Sequence, residues 1–162
     1  MSITLRDYQI EAAKSLVNSI QKGNKKILFC ACTSFGKTLL MLDFANRVAD
    51  RGMKTLIIVN RQELLDQTIE KQDNSKSIGF LNANGFCPDI ITVAMLQTLG
   101  SRLKQEIYQE WLESFDFIFG DEIHQWCNNG TTFKMILDMK LMILKKNSDI
   151  RLDNHKCKRF HI

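Results

Sequence analysis

The stretch Lys26-Lys-Ile-Leu-Phe-Cys-Ala-Cys-Thr-Ser-Phe-Gly-Lys-Thr38, followed at once by Leu-Leu-Met-Leu-Asp-Phe-Ala45, decides the fold. Ile27 to Ala31 is an apolar run that reads as a buried strand, and a short loop of small and polar residues follows it. A helical pattern starts directly after Gly36-Lys37-Thr38. Strand, loop and helix N-terminus in that order make an anion site, because the N–H groups of the turn and the first helical turn converge on one point. Lys37 adds a positive charge within reach of β- and γ-phosphates, and the Thr38 hydroxyl is placed to ligate Mg²⁺. The pattern is a phosphate-binding loop, Ala31-x-x-x-x-Gly36-Lys37-Thr38, with Ala where the general motif has its first Gly. Thr33, Ser34, Phe35 and Gly36 complete the predicted cradle. Ser34-Phe35 fills the part of the loop where Gly commonly lets backbone approach phosphate.

A chain of 162 residues is one domain's worth, large enough for a real core. No apolar run reaches the roughly 18 residues of a membrane span, and no signal-peptide stretch opens the chain. A cytoplasmic protein with no membrane partner is therefore expected, and its 5 Cys are expected to stay reduced. His155-x-Cys157-x-x-x-His161 lacks the closed four-ligand set of a structural zinc site. The net charge of +4 is uneven: residues 1–139 hold 15 Lys/Arg against 16 Asp/Glu, and residues 140–162 hold 7 against 2.

Before the loop, Ile10, Ala13, Leu16, Val17 and Ile20 recur at helical spacing, which predicts one buried face from Leu5 to Gln21. Asp7 fits the N-cap of that helix, and Gly23-Asn24 ends it. After the loop, Leu39, Leu42, Ala45, Val48 and Ala49 give a second helix closed by Arg51-Gly52. Strands are predicted over Thr55 to Val59, Ile78 to Leu81, Ile90 to Val93 and Phe115 to Gly120. Between them lie helices over Arg61 to Lys71, Met95 to Leu99 (broken by Gly100) and Arg102 to Glu113. Apolar strands alternating with helices call for an α/β fold, a mostly parallel sheet covered on both faces.

Asp121-Glu122 stands at the end of the last of these strands, at the edge where open α/β sheets bind ligands. A solvated acidic pair is the plain reading. Beside a phosphate loop, a division of labour is the better one: Asp121 holds Mg²⁺, and Glu122 orients and deprotonates a water.

Four segments then fall in one order and spacing: Ala31-Cys-Thr-Ser-Phe-Gly-Lys-Thr38, Leu56-Ile-Ile-Val-Asn-Arg-Gln-Glu-Leu-Leu-Asp-Gln67, Ile91-Thr-Val-Ala-Met-Leu-Gln-Thr-Leu99 and Asp121-Glu-Ile-His124. They resemble motifs I, Ia, Ic and II of superfamily 2 DExH/DEAD-type helicases. Leu5-Arg-Asp-Tyr-Gln9 resembles the adenine-recognition motif that precedes the phosphate loop there. The likeness runs from about Leu5 to Asp138 and implies a RecA-like ATP-binding lobe, with ATP and Mg²⁺ as cofactors. It implies that Gln9 pairs with the adenine edge and that Arg6 helps hold the base; Tyr8 either stacks on the base or packs in the core. Lys37, Thr38, Asp121 and Glu122 keep the roles just given, and His124 couples the nucleotide site to a second lobe or is a structural residue. Arg61, Gln62, Thr92 and Gln97 match positions along a single-stranded nucleic-acid track, a surface built on phosphate contacts rather than base reading. Nucleic acid is the implied partner, DNA ahead of RNA.

The likeness stops after Asp138, where the family would next show a strand, a Ser/Thr-Ala-Thr motif and a second lobe. The expected division is therefore a first lobe over residues 1–139 and a divergent basic tail over 140–162, with the second lobe absent and Leu141 to Leu144 a short strand at most. The tail reads either as a nucleic-acid-binding arm or as the product of an altered reading frame. Three functions follow: an ATPase component completed by a separately encoded second lobe, a remnant that binds ATP and nucleic acid without motor activity, or a non-helicase P-loop enzyme. The second and third helicase motifs disfavour the last.

Overall fold

The structure, a computed structural model, describes residues 4–72 and 76–121, and the backbone of 142–147. Helix α1 (Asp7–Gln21) leads into β1 (Lys26–Ala31), a 3-10 turn (Thr33–Phe35) and α2 (Lys37–Ala49). Then come β2 (Thr55–Val59), α3 (Gln62–Glu70), β3 (Gly79–Asn82), β4 (Gly85–Cys87) and β5 (Ile91–Met95). Helices α4 (Leu96–Arg102) and α5 (Glu106–Glu113), then β6 (Phe117–Gly120) and β7 (Met142–Asn147), complete the described elements.

The strands form one sheet in the order β1-β7-β6-β2-β5-β3-β4. Every neighbouring pair is parallel except β3 with β4, a hairpin that closes one edge. Strand β2 shows why the sheet must be covered on both sides: all five of its residues are buried. Alternation sends Ile57 and Val59 to one face and Leu56 and Ile58 to the other. The first pair joins Met41, Leu42, Phe44, Ala45 and Val48 of α2, with Leu65 of α3. The second pair joins Leu96, Leu99 and Leu103 with Leu112 and Phe115. Phe44 sets its ring edgewise to Phe117 and Phe119, at centroid distances of 5.1 and 5.4 Å.

The expected elements are present, with five corrections. The helix opening the chain is capped at Arg6, not Asp7, and the Arg6 N–H donates to Gln9 Oε1 at 2.9 Å. Asp7 becomes the first helical residue, where its charge still suits the positive end of the helix. Secondly, the buried face of α1 is Gln9, Ala12, Leu16 and Ser19, whereas Ile10 and Val17 are 38% and 40% exposed. Hydrophobicity alone pointed to the neighbouring stripe; the polar Gln9 is drawn inward by hydrogen bonds that no periodicity reveals. Thirdly, α4 runs through Gly100 to Arg102, because burial of Leu96, Leu99 and Leu103 offsets the roughly 1 kcal/mol helix cost of a glycine. Fourthly, the polar stretch before β5 carries a second strand, β4, paired with β3 through Asn82-Gly85. Fifthly, the lobe does not end at residue 139. Strand β7 lies between β1 and β6, parallel to both, with Ile143 opposite Ile27 and Phe119. The strand that the fold needs next is there, and Lys145 and Lys146, counted above with the tail, belong to the sheet.

Candidate nucleotide site and nucleic-acid edge

All parallel strands finish on one rim, so the residues following β1, β2, β5 and β6 gather there. At the end of β1 the chain turns through the 3-10 segment and reaches Gly36, whose φ of 80° and ψ of 36° lie in the left-handed region. A Cβ at Gly36 would fall 2.4 Å from Gln9 Nε2, so a side chain there is strained by its backbone conformation and would also displace the Gln9 amide. Helix α2 then begins at Lys37 with its first-turn N–H groups directed at the loop.

Lys37 is only 5% exposed. Its ammonium donates to the Ala31 carbonyl at 2.9 Å and the Cys32 carbonyl at 3.1 Å, which folds the side chain back over the start of the loop. The charge is thereby held at the cradle instead of sweeping through solvent. Ser34 is exposed and Thr38 half-buried, one helical residue beyond Lys37. Phe35 points inward: it is 6% exposed and sets its ring edgewise to Tyr8 at 5.1 Å and Phe29 at 5.5 Å. Tyr8 is half-buried against that ring, and its hydroxyl accepts from Arg6 Nη1 at 3.3 Å. Gln9 is 3% exposed; its amide oxygen accepts from Arg6 and its amide nitrogen donates to the Phe35 carbonyl at 2.8 Å. In this structure both ends of the amide that would read adenine are engaged, the nitrogen on the loop and the oxygen on the start of its own helix.

Asp121 follows β6 directly, is 3% exposed, and its N–H donates to the Ile58 carbonyl at 3.0 Å. Strands β1 and β6 are separated by β7 alone, so Asp121 and the loop stand two strand spacings apart, about 9–10 Å. A buried carboxylate and a half-buried hydroxyl are hard oxygen donors, the set that suits Mg²⁺. Among the described residues no cluster of three His, Cys, Asp or Glu forms a metal cage of its own. Glu122, His124 and the His155–His161 segment lie outside the described residues.

The four nucleic-acid positions separate. Arg61 and Gln62 are exposed just beyond β2, with Gln62 Nε2 donating to Asp66 Oδ1 at 2.8 Å, and Gln97 is exposed at the head of α4 beyond β5. These three share the rim. Thr92 does not: it is fully buried at the opposite end of β5. Its hydroxyl accepts from the Asp89 N–H at 3.0 Å and donates to the Asp89 carbonyl at 2.8 Å. The expectation for Thr92 does not fit this placement, since a side chain so placed staples the entry to the strand. The residue missed as an organiser was Phe35. Its signal was legible: a large aromatic in a loop otherwise of small and polar residues needs somewhere to pack.

Residues 2–148 match the family described as "Type III restriction enzyme, res subunit". A protein of Saccharomyces cerevisiae named as an ATP-dependent helicase, IRC3, is 32% identical over 148 residues, covering 83% of this chain and 20% of its own length. The chain thus spans about a fifth of that curated relative. Among solved structures, a nuclease-deletion mutant of the type ISP restriction-modification enzyme LlaGI in complex with a DNA substrate mimic superposes with a TM-score of 0.67 at 18% identity. That match covers 88% of this chain and 17% of the other. The UvsW helicase of bacteriophage T4 superposes with a TM-score of 0.65 at 21% identity, covering 88% of this chain and 52% of the other. These likenesses establish the fold, a RecA-like α/β lobe. The family match runs to residue 148 and so takes in β7.

Proposed function

Because the chain belongs to the res-subunit family of type III restriction enzymes, the N-terminal lobe of superfamily 2 helicases, we propose that it binds Mg-ATP and works as one half of a DNA motor. The observation that carries the reading is a buried lysine at the head of α2 with a buried aspartate on the same rim of a parallel sheet. Lys37 binds the β- and γ-phosphates, the N–H groups at the start of α2 take the remaining phosphate charge, and Thr38 and Asp121 hold the cation. Bound Mg²⁺ supplies charge neutralisation at the phosphates. Glu122 takes the proton of the attacking water, and His124 communicates with a second lobe. Arg6 and Gln9 meet the adenine, for which the Gln9 amide keeps one N–H and one oxygen lone pair beyond its present bonds.

Arg61, Gln62 and Gln97 form the strip that contacts the nucleic-acid backbone. DNA is favoured over RNA because the LlaGI relative was solved with a DNA substrate mimic. A motor also needs a second lobe, which in related phosphoryl-transfer systems supplies an arginine finger worth about 10³–10⁵ in rate. Slow hydrolysis and no unwinding are therefore expected of these residues alone. The second reading, an ATP- and nucleic-acid-binding unit without motor action, is separated from the first by adding a second lobe. A cytoplasmic location is part of the proposal.

Titration with labelled ATP tests the reading. Lys37→Ala removes a buried charge-assisted contact and should cost about 1.5–3 kcal/mol of binding. Equal affinities for wild type and variant would show that the loop is not a nucleotide site. Glu122→Gln should leave ATP bound and abolish whatever turnover the wild type shows.

A further inference from the structure

We propose that Phe35 is a positioning residue through which α1 sets the phosphate loop, so that Tyr8 controls phosphate affinity without touching phosphate. The inference rests on the nucleotide reading above and concerns how that site is held.

In the loop between Ala31 and Gly36 the Phe35 N–H donates to the Cys32 carbonyl at 3.2 Å, and Lys37 holds the Ala31 and Cys32 carbonyls. Phe35 ties the rest of it to its neighbours. The ring is buried in a small separate cluster with Ala12 of α1, Phe29 and Ala31 of β1 and Leu40 of α2, and Tyr8 closes that cluster from outside. Edge-to-face contacts to Tyr8 and Phe29 prescribe the ring's orientation as well as its depth. The carbonyl of the same residue accepts from Gln9, and the next residue, Gly36, passes beneath that amide with no room for a Cβ. Side chain, carbonyl and following Cα of one stretch are therefore all met by α1, with Phe29 of β1 on the other side of the ring. The N–H groups that would cradle phosphate, and the carbonyls that hold Lys37, lie on either side of this anchor. Rotating or withdrawing the Phe35 ring must move both.

Inorganic tripolyphosphate, which has phosphates and no base, distinguishes the possibilities when titrated against the full chain alongside ATP. Phe35→Leu and Tyr8→Leu keep an apolar side chain in place and lose the ring edges. Each should raise the dissociation constants of ATP and tripolyphosphate together, by about three- to tenfold. Combining them should give less than the product of the two effects, because both act through one contact. Phe35→Tyr, which keeps the ring, should restore most of the affinity. Leu112→Ala, on the far side of the sheet, lowers stability and should leave tripolyphosphate affinity unchanged in the folded fraction measured by circular dichroism. If Phe35→Leu and Tyr8→Leu are folded and bind tripolyphosphate like wild type, the inference fails. It also fails if Tyr8→Leu weakens ATP alone, which would make Tyr8 a base contact. Wild-type affinity in Lys37→Ala would instead overturn the nucleotide reading beneath it.

Discussion

Two stretches of the same rim are built in opposite ways. At the phosphate loop, Gln9, Phe35 and Lys37 are almost wholly buried, and each is held by bonds or ring contacts from another part of the chain. Some strands away, Arg61, Gln62 and Gln97 stand exposed, and Gln62 bonds to Asp66 of its own helix. The difference suits the chemistry that the proposed function assigns to each. A site for a small, highly charged ligand gains from donors fixed before it arrives, since ordering them afterwards costs affinity. A strip that meets a long polyanion works through charge at loosely defined distances and tolerates mobile side chains. Mutations should therefore couple binding to folding at the first stretch and leave them independent at the second.

The harshest way to test the contrast is Gly36→Ala. It forces a non-glycine residue into a left-handed conformation, about 1–3 kcal/mol of strain, and drives a methyl against Gln9. Chemical denaturation should show that loss, and ATP titration should show binding reduced by at least tenfold or abolished. Unchanged stability would mean that the loop is far softer than its packing indicates. Next in size is Thr92→Val, which keeps shape and burial but removes both bonds to Asp89. A loss of about 1–2 kcal/mol in stability is expected, with nucleic-acid affinity of the folded protein untouched. A selective loss of nucleic-acid binding would restore Thr92 to the track.

At the exposed strip, Arg61→Ala should weaken binding to DNA of any sequence and reduce the slope of log K against log salt by about 0.7–0.9. Thermal stability should stay within about 0.5 kcal/mol of wild type, as for other surface substitutions. If stability falls as well, the two stretches are not built on different principles.

The smallest effect concerns pH. The Ser77 hydroxyl, and after it the Ile90 N–H, hold the Asp89 carboxyl below its ordinary value of 3.8. The native state then binds fewer protons than the unfolded chain in that range, so this contribution is complete above the ordinary value and is lost as pH falls through the depressed one. The stability of wild type relative to Asp89→Asn should accordingly be flat near neutrality and narrow below about pH 4. A difference that persists unchanged at pH 2 would assign the effect of Asp89 to its hydrogen bonds alone.

Much of this was legible beforehand because the governing signals are local. Ile27 to Ala31 had to be a strand, Gly23 and Gly52 had to follow helices, and Lys37 could be named from its neighbours alone. What escaped depends on contacts distant in sequence. The wrong stripe of α1 looked buried because Gln9, which turns inward to reach Phe35, carries no hydrophobic signal. Gly100 looked like a stop because three leucines packing under α4 cannot be seen one helix at a time. Thr92 was taken for a surface contact because a motif match gives position along a strand and says nothing of which end of the sheet that position occupies. The sheet also continued past the point where recognisable motifs ended, since a strand between two others needs only an apolar stretch such as Met142-Ile-Leu144.

That last strand has a consequence for how the protein comes into being. Strand β1 precedes β7, its neighbour among the described strands, by more than a hundred residues. Until Met142–Asn147 has emerged, β1 and β6 each carry an open hydrogen-bonding edge, and the phosphate loop hangs from a strand with nothing beside it. Such edges recruit other chains, and pairings of long sequence separation form slowly. The chemical centre is therefore completed only once β7 is in place. A stop in translation shortly before residue 142 should yield aggregates in place of a smaller working lobe.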